Sequence, residues 1–226
     1  IDMYNILMGV FRKEKSDIVE CKFKNIYNRE EKAKCSNSLC INTFGNIETL
    51  EEHLNGRYFY RSVCNKLYKK KLFEDIRFPE GKLAEDLFIS HHLFYNANIV
   101  SHIDFTGYNY YIRSNGIMGK GDFNLMKNTL EGMKDQHDFI CSKIPKLKPL
   151  IDKLYLNCLL KSYSYFESCK MSEENEVSYY INLVKIELKR PDIDVNGISK
   201  YAYLIYKISP KVFSIITRKI FKYNHV

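Results

Sequence analysis

Four pieces decide the reading, in this order between Asn65 and Arg113: Asn65-Lys66-Leu67-Tyr68, Arg77-Phe78-Pro79-Glu80-Gly81-Lys82, Ala84-Glu85-Asp86-Leu87-Phe88 and Tyr108-Asn109-Tyr110-Tyr111-Ile112-Arg113. Pro79 and Gly81 punctuate a turn. Leu87-Phe88-Ile89 and then Leu93-Phe94 bring apolar residues back at helical spacing. Glu85 and Asp86 therefore fall in the first turn of a helix reached from a Pro/Gly loop. Unpaired backbone N–H groups and the positive end of the helix dipole favour an ionised carboxylate there. Such a carboxylate can take a proton from a substrate hydroxyl. Acidic residues also occupy first turns for the dipole alone, so position by itself does not assign chemistry.

The whole string says more than the pair. In order and spacing it resembles the C-terminal half of family 2 glycosyltransferases of the GT-A fold, of the bacterial type that builds capsular and other surface polysaccharides; the likeness runs from about Ile1 to Met118. The resemblance implies an α/β fold: the C-terminal portion of a Rossmann-like mixed sheet with flanking helices in residues 1–119, followed by an all-helical extension in residues 120–226. It also implies an inverting sugar transfer in which Asp86 is the general base and Glu85 shapes the pocket beside it. Arg113 would contact the donor diphosphate, and Asn65 and Lys66 would line the substrate side. The plainer account of those two is a capping asparagine and a solvated lysine.

By the same resemblance, the helix Met3–Phe11 and the alternating strand Asp17–Phe23 are the elements that follow a metal-binding D-x-D loop. A divalent metal, Mn or Mg, is then expected with its ligands upstream of Ile1, together with the base-binding pocket of a nucleotide-sugar donor of the UDP-sugar kind. The D-x-D by letter, Asp192-Ile193-Asp194, lies between Pro191 and Gly197 and reads as a turn. Glu74-Asp75 lacks the Pro-x-Gly approach and reads as a surface pair. His91 and His92 read as rim residues, and His102 is either a third metal ligand, as in some GT-A enzymes, or a structural histidine on a strand. The family pattern places a Ser where this chain has Gly116, in the glycine-rich stretch 114–121.

Composition sets the limits. The chain has 226 residues, 45% hydrophobic and 27% charged, enough for a real core and unlike a disordered chain. A formal charge of +8 favours an anionic partner. Seven cysteines without C-x-x-C or zinc-finger spacing suit a reducing compartment. No apolar run is long enough for a spanning helix. The lysines and arginines are scattered and carry no nucleic-acid motif, so no nucleic-acid partner is expected.

Beyond Asp122 the periodicity is helical throughout, interrupted at Pro145, Pro149 and Pro191. After Asp194 no acidic residue follows, while Lys200, Lys207, Lys211, Arg218, Lys219 and Lys222 do. Val212, Phe213, Ile216 and Ile220 make one stripe behind Pro210. A basic amphipathic segment of this kind over residues 200–223 suits an anionic membrane surface, or else the edge of a helical bundle. With a lipid-linked saccharide acceptor implied by the resemblance, the expected location is the cytoplasmic face of the cell membrane. The rival class is a non-catalytic remnant or an acceptor- and membrane-binding module without a donor site.

Overall fold

The computed structural model describes residues 3–27, 40–112, 123–169, 174–195 and 198–221. The chain divides into two compact units, Ile1–Lys120 and Gly121–Val226.

In the first unit, α1 (Met3–Lys13) leads into β1 (Ile18–Ile26), and β2 (Ile41–Phe44) into α2 (Asn46–Leu54). The short β3 (Lys66–Tyr68), α3 (Glu85–Asn96) and the long β4 (Val100–Tyr111) complete it. They form a mixed α/β layer with strand order β2-β4-β1-β3. β1 and β4 are parallel neighbours, whereas β3 runs antiparallel to β1 and β2 antiparallel to β4. The flanking strands β3 and β2, three and four residues long, cover only the first part of β1 and of β4, which go on as a parallel pair to Ile26 and Tyr111.

Alternation along β1 decides which residue meets which layer. Val19 and Cys21 join Ile103 and Phe105 of β4 against Leu7 and Val10 of α1. Met3, Ile6 and Phe11 of α1 close that core, so the apolar stripe read in the opening residues is the stripe that packs. Ile18 and Glu20 point to the opposite face, where Phe59 and Phe94 are buried. Where β1 leaves α1, the Asp17 carboxylate accepts the Asn98 and Ile99 N–H groups at 2.7 and 3.3 Å and pairs with Lys69 at 2.6 Å. It thereby ties the starts of the two parallel strands together.

The β1–β4 ladder slips between Cys21 and Phe23, where β4 carries extra residues. Gly107 sits in this bulge. A Cβ there would lie 2.8 Å from Met3 Cγ and from Phe105 Cε1, and 2.9 Å from Cys21 Sγ. Close approach of α1 and β1 is what requires the glycine.

Residues 28–45 have the polar composition of a loop, yet their end forms β2, held by the antiparallel ladder to β4 and not by its own propensity. Asn46 is a capping residue by type, but the N-cap of α2 is Gly45, whose N–H donates to Glu48 Oε2 at 3.2 Å. Asn46 instead donates from Nδ2 to the Tyr95 carbonyl at 3.0 Å, stitching α2 to α3.

The second unit contains α4 (Phe123–Lys143), α5 (Lys148–Ser168), α6 (Glu174–Glu187), α7 (Ile198–Ile208) and α8 (Pro210–Phe221). α5 is the centre: Ile151, Tyr155, Leu159, Tyr163 and Phe166 are buried along it, and α4, α6, α7 and α8 all pack on it. Asp192-Ile193-Asp194 is the turn it reads as, with Asp192 forked onto Arg190 at 3.1 and 2.9 Å.

The stripe expected on α8 divides. Phe213 turns inward, while Val212, Ile215 and Ile216 face outward. On α7 the outward residues are Tyr201, Leu204, Ile205 and Ile208, the last 85% exposed. Spacings of three and four residues make each set one face of its helix. Among the described residues no helix is long and apolar enough to cross a membrane, and none of the six cysteines is in a disulfide.

Candidate active site

The candidate acid–base group stands where the sequence places it. Glu85 and Asp86 open α3. The turn before them uses Gly81 at φ 70°, and Ala84 caps the helix in the left-handed region at φ 54°, ψ 42°. The Leu87 N–H closes the first turn onto the Ala84 carbonyl at 3.0 Å. Left-handed geometry at alanine costs about 1–2 kcal/mol, and such strain persists only where the surroundings fix it. Ala84→Gly is accordingly expected to raise stability by about 0.5–1 kcal/mol, the relieved strain less the entropy glycine adds to the unfolded chain. A thermal-melt comparison checks this, and a lower melting temperature for the glycine variant would refute it.

Glu85 is exposed and Asp86 partly buried. Burial, and then the neighbouring Glu85 charge, push the Asp86 carboxyl above its ordinary value; Arg61, the Leu87 N–H and Lys66 pull the other way without cancelling them. The direction is opposite to what the helix dipole alone implies, because desolvation is the larger effect at this corner. Arg61 is the residue the sequence reading missed. It follows Tyr60, whose ring meets Phe23 edge-on at 5.2 Å beside the carboxyl-terminal half of β1. Its only sequence signal is its place four residues before Asn65. Tyr68 completes the rim: burial first, then the charges of Glu20, Asp86 and Cys64, hold its hydroxyl protonated well above the usual range.

Asn65 and Lys66 were expected to line the substrate side, and the structure turns both inward. Asn65 is fully buried; its Nδ2 donates to the Cys21 carbonyl and its Oδ1 accepts from Ser62 Oγ at 3.1 Å. Lys66 Nζ pairs with Glu20 Oε2 at 2.6 Å and donates to the Tyr60 carbonyl at 2.6 Å and to the Ser62 carbonyl. The reason is strand register. Lys66 lies opposite Glu20, so both side chains emerge on the same face of the sheet and find each other. These residues hold the 58–65 segment in place and present no polar atom to solvent.

Glu20 is the hub of that arrangement. Its Oε1 also accepts the Phe59 N–H at 3.1 Å and lies 3.3 Å from His102 Nδ1. Burial alone would raise its pKa, but Lys66 and His102 outweigh burial and hold it below the ordinary glutamate value. Phe59 adopts φ 58° to place its N–H there, and its carbonyl accepts from His53 Nδ1 at 2.5 Å. Desolvation lowers His53 to a pKa of about 4, so the ring is neutral at pH 7.

His102 is buried on β4, its ring centre 4.9 Å from that of Tyr58. His91, expected at the rim, is buried as well, and its ring lies 4.2 Å from that of His92. Within the first unit, no three metal-ligating side chains converge among the described residues. Arg113 and Gly116 lie outside the described residues.

What the corner offers chemically is one carboxylate of raised basicity, a cation beside it in Arg61, and protonated Tyr68 nearby. No protein-family model matches the chain, and no curated protein matches it in sequence.

Proposed function

We propose that the first unit is the acceptor-side half of an inverting glycosyltransferase of the GT-A type, acting in the synthesis of a bacterial surface polysaccharide. The observation that carries this reading is the placement of Asp86: a partly buried carboxyl in the first turn of α3, at a loop-to-helix corner held in left-handed geometry at Ala84, within electrostatic reach of Arg61.

The reaction is one displacement. The acceptor hydroxyl oxygen bonds to the anomeric carbon of a nucleotide-sugar, and the bond from that carbon to the diphosphate breaks with its electrons. The hydroxyl proton passes to Asp86. Glu85, exposed next to it, keeps the Asp86 carboxyl basic through its charge. A divalent ion from the donor half would neutralise the departing diphosphate, and Arg113 would assist. The test is sugar transfer by the intact gene product carrying Asp86→Asn. Transfer should be lost while nucleotide binding stays; undiminished turnover would overturn the assignment.

The second unit adds a place to work. The outward faces of α7 and α8 together expose Tyr201, Leu204, Ile205, Ile208, Val212, Ile215 and Ile216, with Lys200, Lys207 and Lys211 also exposed on these helices. An apolar ridge with cations, on two helices that carry no Asp or Glu of their own, suits the surface of an anionic bilayer, where a lipid-linked saccharide acceptor would be found. Sedimentation with phosphatidylglycerol-containing vesicles should retain the protein, and less so as salt rises. Ile208→Glu combined with Ile215→Glu should weaken retention by at least about tenfold, since each places a charge on the buried side of the interface. Equal retention on neutral vesicles, or by the double variant, would count against this surface. A module that only binds acceptor and membrane would keep this behaviour and be indifferent to Asp86.

A further inference from the structure

We infer that the second unit holds a zinc-type metal site formed by His137 and Cys141 of α4 and Asp152 of α5. The two α4 residues are spaced i, i+4 and so share one helix face. Asp152 comes from the next helix, which is why the group is invisible as a sequence motif. One ligand atom from each of the three lies within 4.8 Å of the others, and His137 and Asp152 are fully buried.

The two separations made by His137 are close to those of a tetrahedral ion, and Cys141 and Asp152 lie within 4.8 Å of each other. Ligand bonds of about 2.0–2.1 Å to nitrogen and about 2.3 Å to sulfur at the tetrahedral angle put those two atoms roughly 3.5 Å apart. Cys141 Sγ and His137 Nε2 are 3.6 Å apart. Nitrogen and oxygen on the same ion would be roughly 3.3 Å apart. His137 Nε2 and Asp152 Oδ1 stand at 2.8 Å, with a proton in place of the ion, and need open by only about half an ångström.

The surrounding contacts select the right atoms. His137 Nδ1 lies 3.2 Å from Asp138 Oδ1, an outer carboxylate that fixes a proton on Nδ1 and leaves Nε2 for the metal. Asp152 Oδ2 is taken by Lys148 Nζ at 2.6 Å and by the Asp194 N–H at 2.8 Å, which turns Oδ1 toward His137. The Tyr155 ring packs on His137 with centres 4.6 Å apart and restrains its plane. On binding, the ion displaces the Cys141 thiol proton and the proton between His137 and Asp152 to solvent, and the thiolate and carboxylate balance its two charges. Cys141 is only partly buried, which leaves the fourth position to water. The alternative occupant of the same geometry is the hydrogen bond between His137 Nε2 and Asp152 Oδ1 alone, which needs no sulfur.

Cobalt(II) as a zinc probe separates the two. The chelator-treated chain, titrated with Co(II), should develop a thiolate-to-cobalt charge-transfer band and the visible bands of a tetrahedral site, saturating at one equivalent and bleached by Zn(II). Cys141→Ser should abolish the charge-transfer band while Cys158→Ser keeps it, and circular dichroism verifies that both variants fold. Asp138→Asn should weaken Zn(II) binding by about 10–100-fold without removing the band. Absence of the band in the unaltered chain, or its survival in Cys141→Ser, overturns the site.

Discussion

Lys66→Met is expected to cost the first unit about 3–5 kcal/mol, the range for removing one partner of a buried ion pair. The side chains of Lys66 and Glu20 are both 0% exposed, and the ammonium is the charge that holds the carboxylate in the core. With the lysine gone, Glu20 keeps only the Phe59 N–H and His102, and an uncompensated carboxylate sits beneath the Phe59 and Phe94 rings. The penalty is that desolvation, not the value of the pair itself. Glu20→Gln in the same chain removes the stranded charge and should restore a good part of the loss. With a urea dependence of about 1–3 kcal/mol per molar, the single variant should unfold at least about 1 M earlier. A shift no larger than a surface substitution gives would mean that water reaches the pair.

The same cluster sets an acid limit. The folded-state pKa of Glu20 is held below the ordinary value of 4.5. A depressed carboxylate stabilises the fold above its unfolded pKa, and the contribution is lost as pH falls through the folded value. The first unit should therefore lose stability below about pH 4.5, and His53 starts the loss earlier, from about pH 6.5 downward, because its folded pKa of about 4 leaves only the unfolded chain to take up that proton. Asp17, also held low by Lys69 and the Asn98 and Ile99 amides in spite of burial, adds to the same slope.

The elements with strong period were legible. The stripe Met3, Ile6, Leu7, Val10, Phe11 is α1; the alternation after Asp17 is β1; Pro79 and Gly81 announce the loop into α3. What failed to show is whatever depends on a partner distant in sequence. β2 exists because β4 offers it a ladder. Glu20 reads as a polar strand position and is buried because Lys66 arrives opposite it 46 residues later in the register. The same pairing turned Lys66 away from the substrate side, which neither its charge nor its place beside Asn65 could reveal. On α8, Val212 and Phe213 are adjacent and equally apolar. Packing against Tyr206 of α7 and Tyr163 of α5 decides that Phe213 goes in and Val212 out. Of the candidate site, the sequence located Asp86 and its helix; Arg61 needed the fold, since the 58–65 segment is placed by Asn65 and Lys66 and not by any motif of its own.

Asp86→Asn should lower transfer by about 10²–10⁴-fold under the glycosyltransferase proposal, the usual worth of a positioned general base. Asparagine keeps the size and the ability to accept the Leu87 N–H, so the α3 corner and nucleotide binding should survive, and kcat should carry the loss. The environment of the residue makes a sharper demand. Because Asp86 must be deprotonated to accept the acceptor's proton, the acid limb of kcat/KM should lie above the ordinary aspartate value of 3.8, in the direction that burial and Glu85 impose. The two neighbours then move that limb in opposite senses. Arg61→Ala removes a charge that lowers the Asp86 pKa, so the limb should shift to higher pH. Glu85→Gln removes one that raises it, so the limb should shift to lower pH while activity above it is largely kept. A merely structural carboxylate would lose activity on substitution without any such ordered displacement. If both variants leave the limb where it is, the titrating group is not Asp86, and the base must be sought elsewhere in the chain.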